Sequence, residues 1–262
     1  MDPLAEKYPN VSSYVYCHNN PVNMVDPDGR GDYFNKETGV SFGNDGINDD
    51  KTYAADAVKK NDKGIVIDAT NKIDLKVTSE AFLFMAQTLY AESSNKTSKE
   101  EVSGIYSALE NRAEAYDTDV KSQMKVGYPC GVYGSSKEHR DRYNTEKGAG
   151  PADKRNIVRA GLILGIISDY DYSQGAFFWD GTDFKAGGGH QERYVPGYLF
   201  TDQSHDIYEM GNNSKPGKTK YGSWSYKYQS TTVINHTTFS KITDSWLDAQ
   251  YSGVKKARPL GN

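Results

Sequence analysis

One glutamate, Glu92, combines a residue type and a position that suit acid–base chemistry. Three apolar side chains precede it at helical spacing on one face, at Phe82, Met85 and Leu89. Glu92 continues that stripe, and a carboxyl group partly enclosed by apolar groups has a raised pKa because burial disfavours the ionised form. Such a group can serve as a general acid near neutral pH. The competing interpretation is a helix that frays before Ser93, with Glu92 in water.

The helix that carries Glu92 is predicted to begin at Ser79, because residues 79 to 93 contain neither Gly nor Pro. Glu92 therefore lies near the C-terminal end of this helix. The helix macrodipole makes a negative charge unfavourable at that end. Helix stability alone would not favour a glutamate there, so residue 92 is a candidate for function.

Two further helices are predicted downstream. The second follows a capping box, Ser98-Lys99-Glu100-Glu101, and runs to about Ala115. Its apolar stripe consists of Val102, Ile105, Tyr106 and Leu109. The third covers residues 152 to 167. Its apolar side chains available for a core are Ile157, Ala160, Leu164 and Ile167.

The other segments are polar. Residues 31 to 78 are rich in Gly, Asp, Asn and Lys, and we interpret them as a linker with one or two strands. The Asn/Asp run at 44 to 50 lacks the ligand spacing of an EF-hand loop and indicates a solvated loop. Alternating residues beyond 218 predict strands. Residues 79–262 are thus expected to form an α+β domain, with a helical heart and a β-rich C-terminal region.

Three segments carry the chemistry-bearing residues in a fixed order. They are YAESS at 90 to 94, EEVSGIYSALENRA at 100 to 113 and RAGLILGIISDYDYSQGAFFW at 159 to 179. Together they resemble the spore cortex-lytic type of cell-wall hydrolase. In that family a helix ends in a catalytic Glu followed by small residues, and a second helix ends in Asn-Arg. A third helix leads to a Gly-Ala-aromatic segment that lines the glycan cleft.

The resemblance implies a lysozyme-like helical core that cuts peptidoglycan between N-acetylmuramic acid and N-acetylglucosamine, with Glu92 as the acid. It also implies substrate contacts at the matching positions. These are Tyr90, Asn111, Arg112, Gly175, Ala176, Phe177 and Phe178. The family usually continues its first motif with Ala-Arg-Gly-Glu, whereas this chain has Ser93-Ser94-Asn95-Lys96 and lacks the second glutamate. Many members are lytic transglycosylases, and we expect a single-acid mechanism of that kind.

Aromatic and acidic side chains offer further contacts with a sugar polymer. Stacking on sugar rings is predicted for Tyr128, Tyr133, Phe178 and Trp179, with core packing as an equal alternative. Ordinary glycoside hydrolysis commonly uses a second carboxylate. Candidates flanking the Gly-Ala-Phe-Phe segment are Asp169, Asp171, Asp180 and Asp183. Each of these is also explained as a solvated loop acid.

The first residues of the chain differ from the rest. Turn formers punctuate short Tyr/Val runs, NNPVN stands at 19 to 23, and the segment closes with Asp26-Pro27-Asp28-Gly29. Residues 1–30 thereby resemble the end of the Rhs repeat-associated core domain. The resemblance implies an antibacterial toxin delivered by contact-dependent or type VI secretion to the periplasm of a target bacterium. It also implies a cognate immunity protein and a junction near Asp26 that such proteins often cleave themselves.

Composition restricts the possible partners. The net charge is -4 and basic residues are interleaved with acids, so the basic stripe of a nucleic-acid binder is missing. No apolar stretch approaches the ~20 residues that span a bilayer, and the N-terminal residues do not resemble a signal peptide. Twenty Tyr against nine Phe suit either a cleft that grips sugars or half-buried strands. We predict no cofactor and no metal.

Three other functions stay open. A cysteine-dependent protease or deamidase would use Cys130 as nucleophile and His139 as base, although no third orienting group is recognisable. A nuclease is a further alternative because many Rhs toxins are nucleases, but the acidic charge balance argues against it. A non-enzymatic binding module would use the Tyr-rich C-terminal strands.

Overall fold

The computed structural model describes residues 30–126, 138, 141–144, 153–181, 216–219, 222–225 and 228–242. Six strands come first: β1 (Arg30–Asn35), β2 (Ser41–Asn48), β3 (Lys51–Ala55), β4 (Ala57–Lys60), β5 (Val66–Thr70) and β6 (Ile73–Thr78). Four helices follow: α1 (Ser79–Glu92), α2 (Lys99–Tyr116), α3 (Val120–Val126) and α4 (Lys154–Ile167). The last strands are β7 (Phe178–Asp180), β8 (Pro216–Thr219), β9 (Gly222–Ser225), β10 (Tyr228–Ile234) and β11 (Thr237–Ile242). The protein is therefore of the α+β class.

The N-terminal strands form a sheet of order β2-β1-β3-β6, beside which β4 and β5 pair as a hairpin. Strands β1 and β3 are parallel, and the other neighbours are antiparallel. The expectation of a linker with one or two strands over residues 31 to 78 was therefore wrong. The strands are short and separated by Asp-, Asn- and Gly-rich turns, so their polar composition imitates a linker. The run at 44 to 50, expected as a loop, largely belongs to β2.

This sheet packs against the helices. The ring of Phe34 in β1 stacks on Phe82 of α1 with 4.8 Å between centroids, and both side chains are buried. The turn after β1 docks on α4, where Gly39 adopts a φ of +66°. A Cβ at Gly39 would lie 1.9 Å from the carbonyl oxygen of Asn156, so only glycine fits this contact. The sheet is thus part of the same core as the helices.

Helices α1 and α2 begin where the sequence predicts. The hydroxyl of Thr78 caps α1 by accepting from the amide of Ala81 at 3.1 Å, and Ser98 caps α2 by accepting from the amide of Glu101. The two predicted apolar stripes are confirmed as buried. Their members are Phe82, Met85 and Leu89 on α1, and Val102, Ile105, Tyr106 and Leu109 on α2.

Helix α4 lies directly against α2 along a seam of small residues. A Cβ at Gly161 would meet Val102 at 2.5 Å and the carbonyl of Lys99 at 2.6 Å, and one at Gly165 would meet the ring of Tyr106 at 2.6 Å. The contact between α4 and α2 depends on glycines, not on large apolar side chains. The apolar face predicted for α4 is therefore only partly confirmed. Ala160 is buried, but Ile167 is 39% exposed.

The C-terminal strands β10, β11 and β7 form an antiparallel sheet in that order, and β8 pairs with β9. The prediction of strands beyond residue 218 is confirmed. Phe239 of β11 is fully buried and lies where Gly104 leaves space on α2. Within the described residues, the helices are all too short or too polar to cross a membrane.

Candidate functional site

Glu92 is the last residue of α1. The helix ends there because Ser93 adopts an extended conformation, while its amide still donates to the carbonyl of Leu89 at 2.9 Å. The Glu92 side chain is half-buried, between the buried stripe of α1 and solvent. The helix therefore extends through Glu92 and does not fray before it.

A cation from another helix reaches this end of α1. The last turn of α1 has no basic residue of its own. The ammonium of Lys154, at the start of α4, donates to the carbonyl of Ser93 at 3.0 Å and lies 4.4 Å from the ring centroid of Tyr90. A positive charge at a helix C-terminus offsets the partial negative charge of its free carbonyls. Lys154 of α4 thus provides the positive charge that the last turn of α1 does not contain, one residue away from Glu92.

Tyr90 is buried in this arrangement. Its ring meets the ring of Tyr143 edge-on, with 5.6 Å between centroids, and the Tyr143 hydroxyl accepts from Arg159 at 2.7 Å. Tyr90, for which the resemblance implied a substrate contact, is therefore packed within the protein.

The loop after Glu92 is held by a second glutamate, Glu101, which is fully buried. Its Oε1 accepts from the Ser94 amide at 3.0 Å and from the Thr237 hydroxyl at 3.0 Å. Its Oε2 accepts from the Ser94 hydroxyl at 3.2 Å and from the Asn235 amide at 2.6 Å. The sequence indicated Glu101 as part of a capping box, but its carboxylate connects the loop to the β10–β11 hairpin.

At the other end of α2, Asn111 holds the segment that leads into β7. Its side-chain amide donates to the carboxylate of Asp171 at 3.0 Å, to the Ser173 hydroxyl at 3.2 Å and to the carbonyl of Ala176 at 3.0 Å. The structure therefore brings Asn111 together with the Gly-Ala-Phe-Phe segment. The contacts are hydrogen bonds that the Asn111 side chain donates within the protein.

The carboxylate of Asp171 organises this turn. It accepts from Ser173 through both the amide, at 2.8 Å, and the hydroxyl, at 2.6 Å, and from the Gly175 amide at 2.6 Å. Burial alone would raise the pKa of Asp171, but the hydrogen bonds from Ser173, Asn111 and Gly175 outweigh it and lower the pKa. Asp171 is therefore ionised at neutral pH and engaged by its own turn, in contrast to a solvated loop acid.

Arg112 follows Asn111 and points to the same segment. Its guanidinium donates to the carbonyl of Phe177 at 3.5 Å and lies 5.5 Å from the ring centroid of Phe178. Phe178 and Trp179 are 4% and 9% exposed, so both rings pack in the protein, as the core alternative for these residues requires. Neither ring offers a face to a sugar in this arrangement.

The other predicted site residues divide into two groups. Asp169 is exposed beyond the end of α4, whereas Asp180 is buried in β7 opposite Thr238 of β11. The predicted residues that lie outside the described part of the chain are Tyr128, Tyr133, Asp183, Cys130, His139 and the Rhs-like segment, residues 1 to 29.

Glu110 is an acid that the sequence did not single out. Burial by the surrounding chain raises its pKa, and the nearby carboxylates of Asp171 and Glu114 raise it further. The side chain of Glu110 is nevertheless exposed on one side, so solvent screens part of this effect. Glu110 and Asp171 thus shift in opposite directions although they are neighbours.

In the part of the chain that the structure describes, His, Cys, Asp and Glu side chains form no group of three or more that could hold a metal ion. No family model, curated protein or solved structure matches the chain.

Proposed function

We propose that this chain is the antibacterial toxin part of an Rhs-type protein, and that it cleaves the glycan strands of peptidoglycan with Glu92 as general acid and base. One observation carries the proposal. Helix α1 ends at Glu92 and is followed by Ser93 and Ser94, as in the family that these segments resemble. The residues that follow Glu92 are held by α4 at Ser93 and, through Glu101, by the β10–β11 hairpin at Ser94.

The proposal includes a lysozyme-like helical catalytic core. Two features support it. The three resembling segments are carried by α1, α2 and α4 with β7, and side chains from all of them share one buried cluster. The Asn-Arg pair of α2 also contacts the Gly-Ala-Phe-Phe segment directly. Residues that resemble one family in order along the chain are therefore also joined in space.

We assign a single-acid mechanism. The carboxyl group of Glu92 gives its proton to the glycosidic oxygen as the bond from that oxygen to C1 of the muramic residue breaks. The carboxylate then takes the proton of the C6 hydroxyl while the C6 oxygen bonds to C1. The product is a 1,6-anhydro sugar, the Glu92 carboxyl group is restored and no water is consumed.

The state of Asp171 supports this choice over a two-carboxylate hydrolysis. Both of its oxygens already accept hydrogen bonds from Asn111, Ser173 and Gly175. A carboxylate engaged in this way is poorly placed to activate a water molecule as general base. Asp171 has a structural task in the proposed site.

The Rhs-like residues at the start of the chain support a route of delivery. We propose export by a contact-dependent or type VI system and action in the periplasm of the target cell. The partners are then peptidoglycan, the Rhs core with its secretion apparatus, and an immunity protein in the producing cell. The proposal includes neither binding to nucleic acid nor insertion into a membrane.

Digestion of purified peptidoglycan tests the proposed function. The parent protein should release muropeptides, and Glu92→Gln should lower the rate at least about a hundredfold, because a positioned general acid contributes on that scale. Glu80→Gln is the matched control, since Glu80 lies in the first turn of the same helix with its side chain 84% exposed. Mass spectrometry distinguishes an anhydro product from a hydrolysed one by one water.

Two results would contradict the proposal. Release of muropeptides by Glu92→Gln at the parental rate would remove Glu92 from the chemistry. If the parent protein releases none, the glycosidase function fails. Loss of toxicity in Cys130→Ser, or degradation of plasmid DNA, would then indicate the cysteine or nuclease alternative.

A further inference from the structure

We infer that Glu101 is a positioning residue for Glu92, and that it acts by fastening the loop after α1 to the tip of the β10–β11 hairpin. The inference rests on the proposed function of Glu92. Glu101 is on a different helix from Glu92 and is fully buried, so it does not touch substrate. Its influence passes through Ser94, two residues after Glu92.

The hydrogen bonds of Glu101 define a clamp between two distant parts of the chain. Each carboxylate oxygen accepts one bond from Ser94 and one from the hairpin. Asn235 strengthens the connection, because its amide also donates to the carbonyl of Lys96 at 2.6 Å. Residues 94 to 96 are therefore held against the hairpin by both side-chain and backbone groups.

The clamp uses both oxygens of the Glu101 carboxyl group. Each oxygen has one amide partner and one hydroxyl partner. Glu101 also lies in the first turn of α2, where the macrodipole favours a negative charge. In the part of the chain that the structure describes, the hydrogen-bond partners of this carboxyl group are amides and hydroxyls.

The consequence for Glu92 follows from its place in the chain. Lys154 holds the carbonyl of Ser93, and Glu101 holds both the amide and the hydroxyl of Ser94. The two residues after Glu92 are thus each fixed by another element, Ser93 by α4 and Ser94 by α2 with the hairpin. An acid must sit within a fraction of an ångström of its productive position, since a shift of about 1 Å can lower a rate about a hundredfold.

The test compares Thr237→Val with Thr237→Ser. Valine keeps the shape of this buried, β-branched residue and removes the hydroxyl that donates to Glu101, whereas serine keeps the hydroxyl. Glu101→Gln is the stronger variant, because it places an amide donor among groups that already donate. Both variants of Thr237 should fold, as judged by circular dichroism and Tm.

Three quantities are measured with soluble, uncrosslinked glycan strands: kcat, KM and the deuterium exchange of the segment containing Ser94. We expect Thr237→Val to lower kcat about threefold to tenfold and Glu101→Gln about tenfold to a hundredfold, with KM within about twofold. Deuterium exchange at Ser94 should be faster in Thr237→Val and in Glu101→Gln than in the parent protein. Thr237→Ser should restore the parental kcat and the slow exchange.

The outcomes separate this inference from the proposed function. Faster exchange at Ser94 with an unchanged kcat would overturn the positioning role while leaving Glu92 as the acid. An equal loss of kcat in Thr237→Ser and Thr237→Val would also overturn it, because the hydroxyl would then be irrelevant. A parent protein that cleaves no glycan would refute the proposed function, and the exchange data would still show whether the clamp exists.

Discussion

The two ends of helix α2 each hold a segment of the proposed site, and they do so with reversed chemistry. At the N-terminal end, the carboxylate belongs to the helix, in Glu101, and the loop and hairpin provide the donors. At the C-terminal end, the helix provides the donor, in Asn111, and the carboxylate belongs to the loop, in Asp171. Both clamps are largely buried, and both connect residues far apart in sequence.

The N-terminal clamp agrees with the polarity of the helix. A carboxylate is favourable in the first turn of α2, where Glu101 lies, because the free amides there carry a partial positive charge. Asn111 lies five residues before the end of α2, outside the last turn, and contributes a neutral amide. The guanidinium of Arg112 follows it, and the ionised carboxylate lies on the partner segment. One helix therefore fastens two loops, as the acceptor at one end and as the donor near the other.

Asp171→Asn is expected to have the largest effect on the second clamp. One oxygen would become an amide group facing donors, which leaves amides of Ser173, Gly175 or Asn111 without an acceptor. We expect the free energy of unfolding at pH 7 to fall by about 3 kcal/mol, measured by urea unfolding. Asp169→Asn is the control, because Asp169 is exposed and should change little. Equal effects of the two substitutions would contradict the role of Asp171.

The same substitution has a signature in pH. Because the folded-state pKa of Asp171 lies below its ordinary value of about 3.8, its stabilisation is present above that value and is lost as pH falls through the folded value. The difference in stability between the parent and Asp171→Asn should therefore be constant near neutral pH and shrink below about pH 4. A difference that does not change with pH would show that the carboxylate charge is not what matters.

A smaller effect is expected where α4 packs along α2. In Gly161→Ala the new methyl group meets the carbonyl of Lys99, which is backbone, whereas in Gly165→Ala it meets the side chain of Tyr106. A side chain can move more easily than a backbone carbonyl. We expect Gly161→Ala to lower the free energy of unfolding by about 1–3 kcal/mol, and by more than Gly165→Ala. The reverse order would mean that the N-terminal end of α2 is the more adaptable one.

The helices of this fold could be predicted because their signals are local. Apolar spacing located the buried stripes of α1 and α2, and both helices begin at the expected residues, α2 directly after the Ser98 cap. The seam of α4 was harder, because Gly161 and Gly165 contribute close approach in place of apolar area. The spacing of large apolar side chains does not reveal a close approach of two helices that glycines make possible.

The N-terminal sheet and the two clamps could not be predicted because their partners are distant in sequence. β1 pairs in parallel with β3, a contact without a tight-turn signal, and Phe34 reaches α1 across the sheet. In the sequence, Glu101 matched the last position of a capping box. No local signal indicated that Thr237 would lie beside its carboxylate. The candidate acid was found from spacing and resemblance, whereas the groups that position it needed the tertiary structure.

Glu110 is a carboxylate of α2 that lies near the Asp171 clamp without being part of it. Burial and the carboxylates of Asp171 and Glu114 raise its pKa, so its ionisation opposes folding. The penalty is absent below its ordinary value of about 4.5 and grows as pH rises to the folded value. Glu110→Gln should therefore raise the Tm slightly at pH 7 and leave it unchanged at pH 4. A gain of the same size at both pH values would indicate a packing effect, and a loss at pH 7 would mean that the ionised Glu110 carboxylate stabilises the fold.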